Sequence, residues 1–318
     1  MLRVHHRDGA EWRTEEGLAA AATAAAARDR ESAWIEAIAP DATEQELLRG
    51  ACGLPSDWIA AALEPEHPPR LVEREGLLFA IAHAPNPGLE VATRKVSLIL
   101  GPRLLVSIVR LPMPLLDPLH EVLRANPAWY LAAPERIVHA VLHHLADIFE
   151  ERIDESIDLA EELEDGALDR EKGVLRRLHH LRRRTAAFAR VLRSQRDVCQ
   201  ALARGGHPLL SREIEPYLRD VADHMLRIYD LLEAVRDGIL AARDGHLTAM
   251  NHELNVTMRT LTAVATMLLP LSLIAAIYGM NFEHLPLSRS PWGLPVLLGV
   301  MVAVAFAVWR WLHRQHWL

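Results

Sequence analysis

The chain has 318 residues, 50% of them hydrophobic and 24% charged, with a formal net charge of −7. That acidic balance lacks the basic footprint of a nucleic-acid binder, so no nucleic-acid partner is expected. Two cysteines, Cys52 and Cys199, with no CxxC spacing, exclude a disulfide scaffold and a thiolate zinc site, and fit a reducing, cytoplasmic setting for the soluble part.

The opening MLRVHHRDGAEWR has no apolar run and does not read as a signal peptide. The Ala-rich stretch 18–28 favours helix. Thr43–Gly50 reads as a capped helix, with Thr43 and Glu46 in capping-box register. LLFAIAHA (77–84), VSLIL (96–100) and LLVSIV (104–109) read as strands, the last two joined by Gly101-Pro102-Arg103 at hairpin spacing. Residues 1–133 therefore form an α/β domain. It contains no GxGxxG, no P-loop and no GxSxG, so neither an organic cofactor nor a serine nucleophile is expected.

From Pro134 the pattern turns helical: Ile137, Ala140, Val141, His144, Leu145, Ile148 and Phe149 recur at spacings of three and four. Residues 147–165 carry ten Asp or Glu, and 176–196 carry eight Arg. These blocks read as the solvated faces of an antiparallel helix pair, lightly cross-braced. The sharper alternative is an electrostatic device near a pore mouth. Gly205-Gly206-His207-Pro208 ends the pair. Pro216 suits the start of a further helix, which runs from about 216 to 280, close to ~100 Å at the helical rise. Residues 134–255 thus form a helical stalk. Histidines number 17. The neighbours His143-His144 and His179-His180 point about 100° apart on a helix and cannot chelate one metal from a single face. A site built from distant histidines stays open; the simpler expectation is that most lie at the surface.

Residues 256–318 are a transmembrane hairpin. No charged residue occurs in Thr260–Phe282, a run of 23, or in Ser290–Trp309, a run of 20. Each is long enough to cross a hydrocarbon core of about 30 Å, with spans near 260–281 and 291–310. Arg259 precedes the first span, and Arg310, His313 and Arg314 follow the second, which places both termini in the cytoplasm of a multi-pass cell-membrane protein. Trp292, Trp309, Trp311 and Trp317 suit an aromatic belt. The Ala-, Thr- and Ser-rich first span is expected to face protein or water, and the second lipid. Two helices cannot enclose an aqueous path, so conduction requires several chains around an axis. Asn255, Met258, Leu261, Ala265, Leu269, Ser272, Ala276 and Gly279 form an uncharged stripe. It serves equally as a pore face or as ordinary helix packing.

Tyr278-Gly279-Met280-Asn281-Phe282-Glu283, followed by Leu285-Pro286, resembles the signature loop of the CorA family of magnesium channels. Met267–Ser272 is similar to that family's mid-helix proline segment, Pro216–His224 to the start of its stalk helix, Val96–Leu100 to a strand of its cytoplasmic domain, and His316-Trp317-Leu318 to its tail. The resemblance implies an α+β membrane protein with an N-terminal cytoplasmic α/β domain, a long helical stalk and two C-terminal transmembrane helices. It implies a homopentamer in the lipid bilayer that moves magnesium, with cobalt and nickel as further divalent cargo. Gly279, Met280 and Asn281 would form the selectivity filter. Asn255, Met258, Leu261, Leu269 and Ser272 would line the pore, and Glu283 in the outer loop would raise the local cation concentration. Asp220 and Asp244 match regulatory Mg²⁺ positions. The pattern is broken near Leu63, where an acidic partner belongs; residues 58–63 read Trp-Ile-Ala-Ala-Ala-Leu, with Glu64 and Glu66 nearby. Leu287 also stands where many relatives carry a carboxylate. Two rivals remain. One is a zinc transporter of the ZntB type, proton-coupled, against which Met280 argues. The other is a non-transporting membrane-anchored scaffold, which has no use for the uncharged stripe. No catalytic set points to an enzyme.

Overall fold

The computed structural model describes residues 1–8, 11–26, 32–65, 67–85, 93–168, 173–280 and 292–315. The described elements run, in chain order, β1 (Leu2–Asp8), β2 (Glu11–Glu16), α1 (Leu18–Ala26), β3 (Ala33–Ile38), α2 (Ala42–Gly50), α3 (Ser56–Leu63), β4 (Arg70–Arg74), β5 (Leu77–Pro85), β6 (Thr93–Leu100), β7 (Leu104–Val109), α4 (Asp117–Ala125), α5 (Pro127–Tyr130), α6 (Pro134–Leu168), α7 (Val174–Ala203), α8 (Glu215–Tyr278) and α9 (Gly293–Arg314). Two compact units emerge, one made of 1–166 with 172–243, the other of 167–171 with 244–318.

The first unit is built on one seven-stranded sheet of order β2-β1-β3-β7-β6-β5-β4. All pairings are antiparallel except β3 with β7. Strands β5 and β7 are buried on both faces, which explains why they read as continuous apolar runs. The β6–β7 hairpin closes where expected, with Gly101 N–H donating to Leu104 O at 2.8 Å. One face packs Val4, Ile35, Ala37, Ile99, Val106 and Ile108 against Ala21 and Ala25 of α1, Leu48 of α2, and Trp58, Ile59 and Ala62 of α3. On the other side α7 is tied to β5, since His83 N–H donates to Gln195 Oε1 at 2.7 Å within the interior.

Several elements lay outside the sequence reading: β1 to β4, and α3, which appeared only as an apolar stretch. The helix at 43–50 is real, but its cap lies two residues earlier. Asp41 accepts from Glu44 N–H at 2.9 Å while Glu44 Oε2 accepts from Asp41 N–H at 3.0 Å. Thr43–Glu46 has the same spacing but sits inside the helix. Lys95 caps the end of α3 by donating to the carbonyls of Ala61 and Glu64; burial pulls its ammonium down to about 8.

The charge blocks are surface faces of the helix pair α6–α7, as the simpler expectation held. Arg177 meets Glu162 at 2.6 Å, an exposed ion pair of the kind that contributes about 0–1 kcal/mol, and Arg184 donates to the part-buried Ser156 Oγ at 2.7 Å. The break before α8 requires its glycine: Gly205 has φ of +69°, and a Cβ there would meet Glu215 Oε1 at 2.6 Å.

Candidate ion-conduction site

Helix α8 runs 64 residues and includes Pro270. Proline has no N–H, so the Thr266 carbonyl loses its usual donor one turn on. Two residues on, Ser272 Oγ donates to the Leu269 carbonyl at 2.9 Å. Further down, Thr262 and Thr260 turn their hydroxyls back onto the Met258 and Val256 carbonyls at 2.7 and 3.0 Å. The hydroxyls are thus partly spent on the helix's own backbone, which makes their helix surface less polar than the sequence suggests.

Within the second unit, each apolar helix has one covered face. On α8 it comprises Ala263, Thr266, Met267, Pro270, Leu271, Ile274 and Tyr278; on α9, Gly293, Leu297, Met301, Val304, Val308 and Leu312. Spacings of three and four mark each as a single helix face, the pattern that packing of two helices leaves. The stripe Met258, Leu261, Ala265, Leu269, Ser272, Ala276 and Gly279 lies on the opposite side of α8, roughly 180° from the covered face at about 100° per residue. Asn255 lies toward its flank. The stripe is open: Met258, Leu261 and Leu269 are 66, 69 and 67% exposed. On α9 the open surface is aliphatic and aromatic, including Val296, Leu298, Val302 and Phe306. Both helices are long and apolar enough to cross a membrane, and a soluble protein rarely leaves so much contiguous apolar surface uncovered.

Helix α8 stops at Tyr278. Gly279 N–H donates to the Ala275 carbonyl at 2.9 Å and Met280 N–H to the Ile277 carbonyl at 3.3 Å. A Cβ on Gly279 would lie 3.2 Å from the Ala275 carbonyl, so the tightness of this turn favours glycine. The helix therefore presents its carbonyl end, with partial negative charge, at Gly279 and Met280. Asn281 and Glu283, with the rest of the outer loop (His284, Leu285, Pro286, Leu287 and Arg289), lie outside the described residues, as do Glu66 and the tail residues Trp317 and Leu318.

The candidate regulatory carboxylates Asp220 and Asp244 are both exposed on α8, Asp220 in the first unit and Asp244 in the second. Asp220 acts electrostatically on His139, whose imidazole is pushed down to about 4, chiefly by burial. Residues 58–63 are helix α3, with Trp58, Ile59, Ala61 and Ala62 buried. Glu64 is paired with His67 at 3.2 Å.

Most described histidines are exposed or partly exposed, as expected, but a few are interior. His5, His83 and His224 are buried, and distant ones converge. His143, Asp147 and His224 form one group that could hold a metal ion; His5, Glu36 and His120 form another. In the first, His224 Nε2 already meets Glu150 at 2.9 Å. In the second, burial lowers His5. Burial alone would raise Glu36, but the neighbouring imidazoles of His120 and His5 reverse that and hold its carboxyl at about 2. The only sequence signal for this second group was the alternation Leu2-Arg3-Val4-His5 and Ala33-Trp34-Ile35-Glu36, which assigns His5 and Glu36 to one face of a sheet.

A family model described as CorA-like Mg2+ transporter protein matches residues 29–314. The chain belongs to this family. Its members are ion transporters, not enzymes, and the CorA architecture is what the sheet domain, the long α8 and the two C-terminal apolar helices reproduce. The Cobalt/magnesium transport protein CorA of Thermotoga maritima is 33% identical over 234 residues, spanning 72% of this chain and 66% of that protein. The complete structure of the CorA magnesium transporter from Methanocaldococcus jannaschii superimposes with a TM-score of 0.84 at 22% identity, covering 100% of this chain and 99% of that one. The ZntB cytoplasmic domain from Vibrio parahaemolyticus shares the fold at a TM-score of 0.63 and 12% identity, covering 79% of this chain and 98% of that domain.

Proposed function

We propose that the chain assembles as a homopentamer in the cell membrane and conducts Mg²⁺ into the cytoplasm through a pore lined by α8. The observation that supports this most is the open, uncharged stripe of α8 on the side opposite its covered face. A scaffold or anchor needs no such stripe, whereas five copies turned inward give an uncharged conduit. In this reading 1–133 is a cytoplasmic α/β domain, 134–255 the stalk and 256–318 the membrane hairpin, with both termini cytoplasmic. Gly279, Met280 and Asn281 form the filter; Asn255, Met258, Leu261, Leu269 and Ser272 line the path beneath it.

The chemistry suits a hydrated ion. Mg²⁺ gives up water reluctantly and is usually bound with several waters kept. A ring of Asn281 carboxamide oxygens accepts hydrogen bonds from those waters without trapping the charge. The carbonyl ends of five α8 helices, and Glu283, favour a cation at the mouth. Rings of Met258, Leu261 and Leu269 close the path by dewetting. The membrane potential supplies about 4.6 kcal/mol per 100 mV for two charges. Asp220 and Asp244 bind intracellular Mg²⁺ and slow the flow; the apolar Trp58–Leu63 leaves them without the acidic partner that the family pattern supplies.

Purified protein in liposomes, with a negative interior, is expected to pass Mg²⁺, and Asn281→Ala to change its selectivity. Unchanged selectivity in that variant, or a monomer in mild detergent, overturns the assignment. Comparing Mg²⁺, Co²⁺, Ni²⁺ and Zn²⁺ flux with and without a proton gradient separates a channel from a proton-coupled zinc transporter.

A further inference from the structure

A polar pocket interrupts the second face of the sheet. His5 on β1 and Glu36 on β3 are diagonal neighbours across an antiparallel pair, in which Arg3 faces Glu36 and His5 faces Trp34. His120 on α4 approaches from above. His5 and Glu36 are 1% and 4% exposed, and the His120 side chain is 12% exposed. Glu36 Oε2 lies 3.7 Å from His5 Nε2 and 3.5 Å from His120 Nε2.

At 3.5 and 3.7 Å these are long ion-pair contacts, beyond a normal hydrogen bond. All three atoms are buried and lack a hydrogen-bond partner, although buried polar atoms are nearly always paired. The distances do match another arrangement. With metal–ligand bonds of about 2.0–2.1 Å, ligand atoms at the corners of a tetrahedron stand about 3.3–3.4 Å apart. One ligand atom from each of the three residues lies within 4.8 Å of the others, so a single cation can reach all three side chains with small movements.

The surroundings favour the same reading. His5 Nδ1 lies 3.0 Å from Thr14 Oγ1. A donor bond there fixes the tautomer and leaves Nε2 with a free lone pair, as metal-bound histidines usually arrange. Trp34 holds both rings in place: its centroid is 4.6 Å from His5 and 5.4 Å from His120, the latter stacked. Trp34 is itself anchored by Nε1–H donating to Ser107 Oγ at 2.8 Å. Of the three side chains His120 is the one partly exposed, although its Nε2 is itself buried.

We propose that His5 Nε2, His120 Nε2 and Glu36 Oε2 form a binding site for one zinc-class divalent cation, built from residues that take no part in the conduction path. Two imidazoles and one carboxylate suit Zn²⁺, Co²⁺ or Ni²⁺; Mg²⁺ prefers an all-oxygen shell. The bound ion would clamp β1, β3 and α4 together, with two neutral imidazoles and one carboxylate against two positive charges.

The test uses the full-length chain in detergent, stripped with chelator and held in excess Mg²⁺ to saturate sites for that ion, then titrated with Co²⁺. The expected result is one additional Co²⁺ per chain, with the visible bands of a four-coordinate ion and quenching of tryptophan fluorescence. Zn²⁺ should displace it and Mg²⁺ should not. Glu36→Gln and His120→Ala should each weaken it at least about 100-fold, more than loss of a supporting contact would, and abolish the rise in unfolding temperature that Zn²⁺ gives the parent chain. His120 is the safer site for folding, and an unchanged near-ultraviolet circular dichroism spectrum of His120→Ala confirms the comparison. Equal Co²⁺ binding in parent and His120→Ala, or no Co²⁺ bound in excess Mg²⁺, overturns the site.

Discussion

The sheet domain and the C-terminal helices use the same residues in opposite ways. Leu98 and Ile99 on β6 are almost wholly buried within the first unit, whereas Leu268 and Leu269 on α8 are more than half exposed within the second. In the first case the chain supplies its own apolar surroundings, and each side chain is held by a close-packed neighbourhood. In the second the chain supplies only one covered face. The rest is left open to the surroundings, so the apolar side chains of the second unit are not enclosed by the chain's own packing.

That contrast can be broken by paired substitutions. Ile99→Ala, inside the sheet core, should lower stability by about 2–5 kcal/mol, measured by denaturant unfolding. Leu269→Ala should move the same reading by less than about 0.5 kcal/mol and alter Mg²⁺ flux instead; equal losses of stability would mean that α8 is packed within its own chain. A second prediction concerns pH. Burial holds His139 at about 4 in the folded chain against 6.5 when unfolded. The unfolded chain therefore takes up the proton first, so this group's contribution falls as pH drops from about 6.5 toward 4 and is level above that range. His139→Gln should flatten that slope in unfolding curves taken across the interval. Third, Asp41→Ala removes the reciprocal cap of α2 and should cost about 1 kcal/mol, while Thr43→Ala should leave the cap intact. The smallest effect belongs to the exposed pair Arg177–Glu162: Arg177→Ala should cost at most about 1 kcal/mol, and less at high salt.

How much of this was readable in the residues depends on where each one finds its partner. The membrane spans were legible because lipid imposes one rule on every position. Strands β5 and β7 were legible because burial on both faces leaves no polar interruption. Strands β1 and β4 were not, since Arg3, His5, Glu73 and Arg74 look like solvated loop residues. Only a distant element decides otherwise: His5 and Glu36 are interior because α4, more than eighty residues later, covers them. The cap of α2 was missed by a slip between two pairs of the same spacing, Asp41–Glu44 and Thr43–Glu46. The α8 stripe was visible from its spacing, but its isolation from the covered face required the helix pair itself.

The single parallel pairing in the sheet has a consequence for biosynthesis. Strands β2, β1 and β3 join the remaining four only through β3 with β7, whose partners Ala33 and Leu104 are some 70 residues apart. At about 5–20 residues per second of translation, β3 waits roughly 4–14 s after emerging before its neighbour exists. During that interval the nascent chain carries an unpaired, strongly apolar edge, at the stage when such edges recruit the wrong strand. Synonymous codon changes that slow translation between positions 38 and 104 should therefore lower the yield of folded protein while leaving the finished molecule identical.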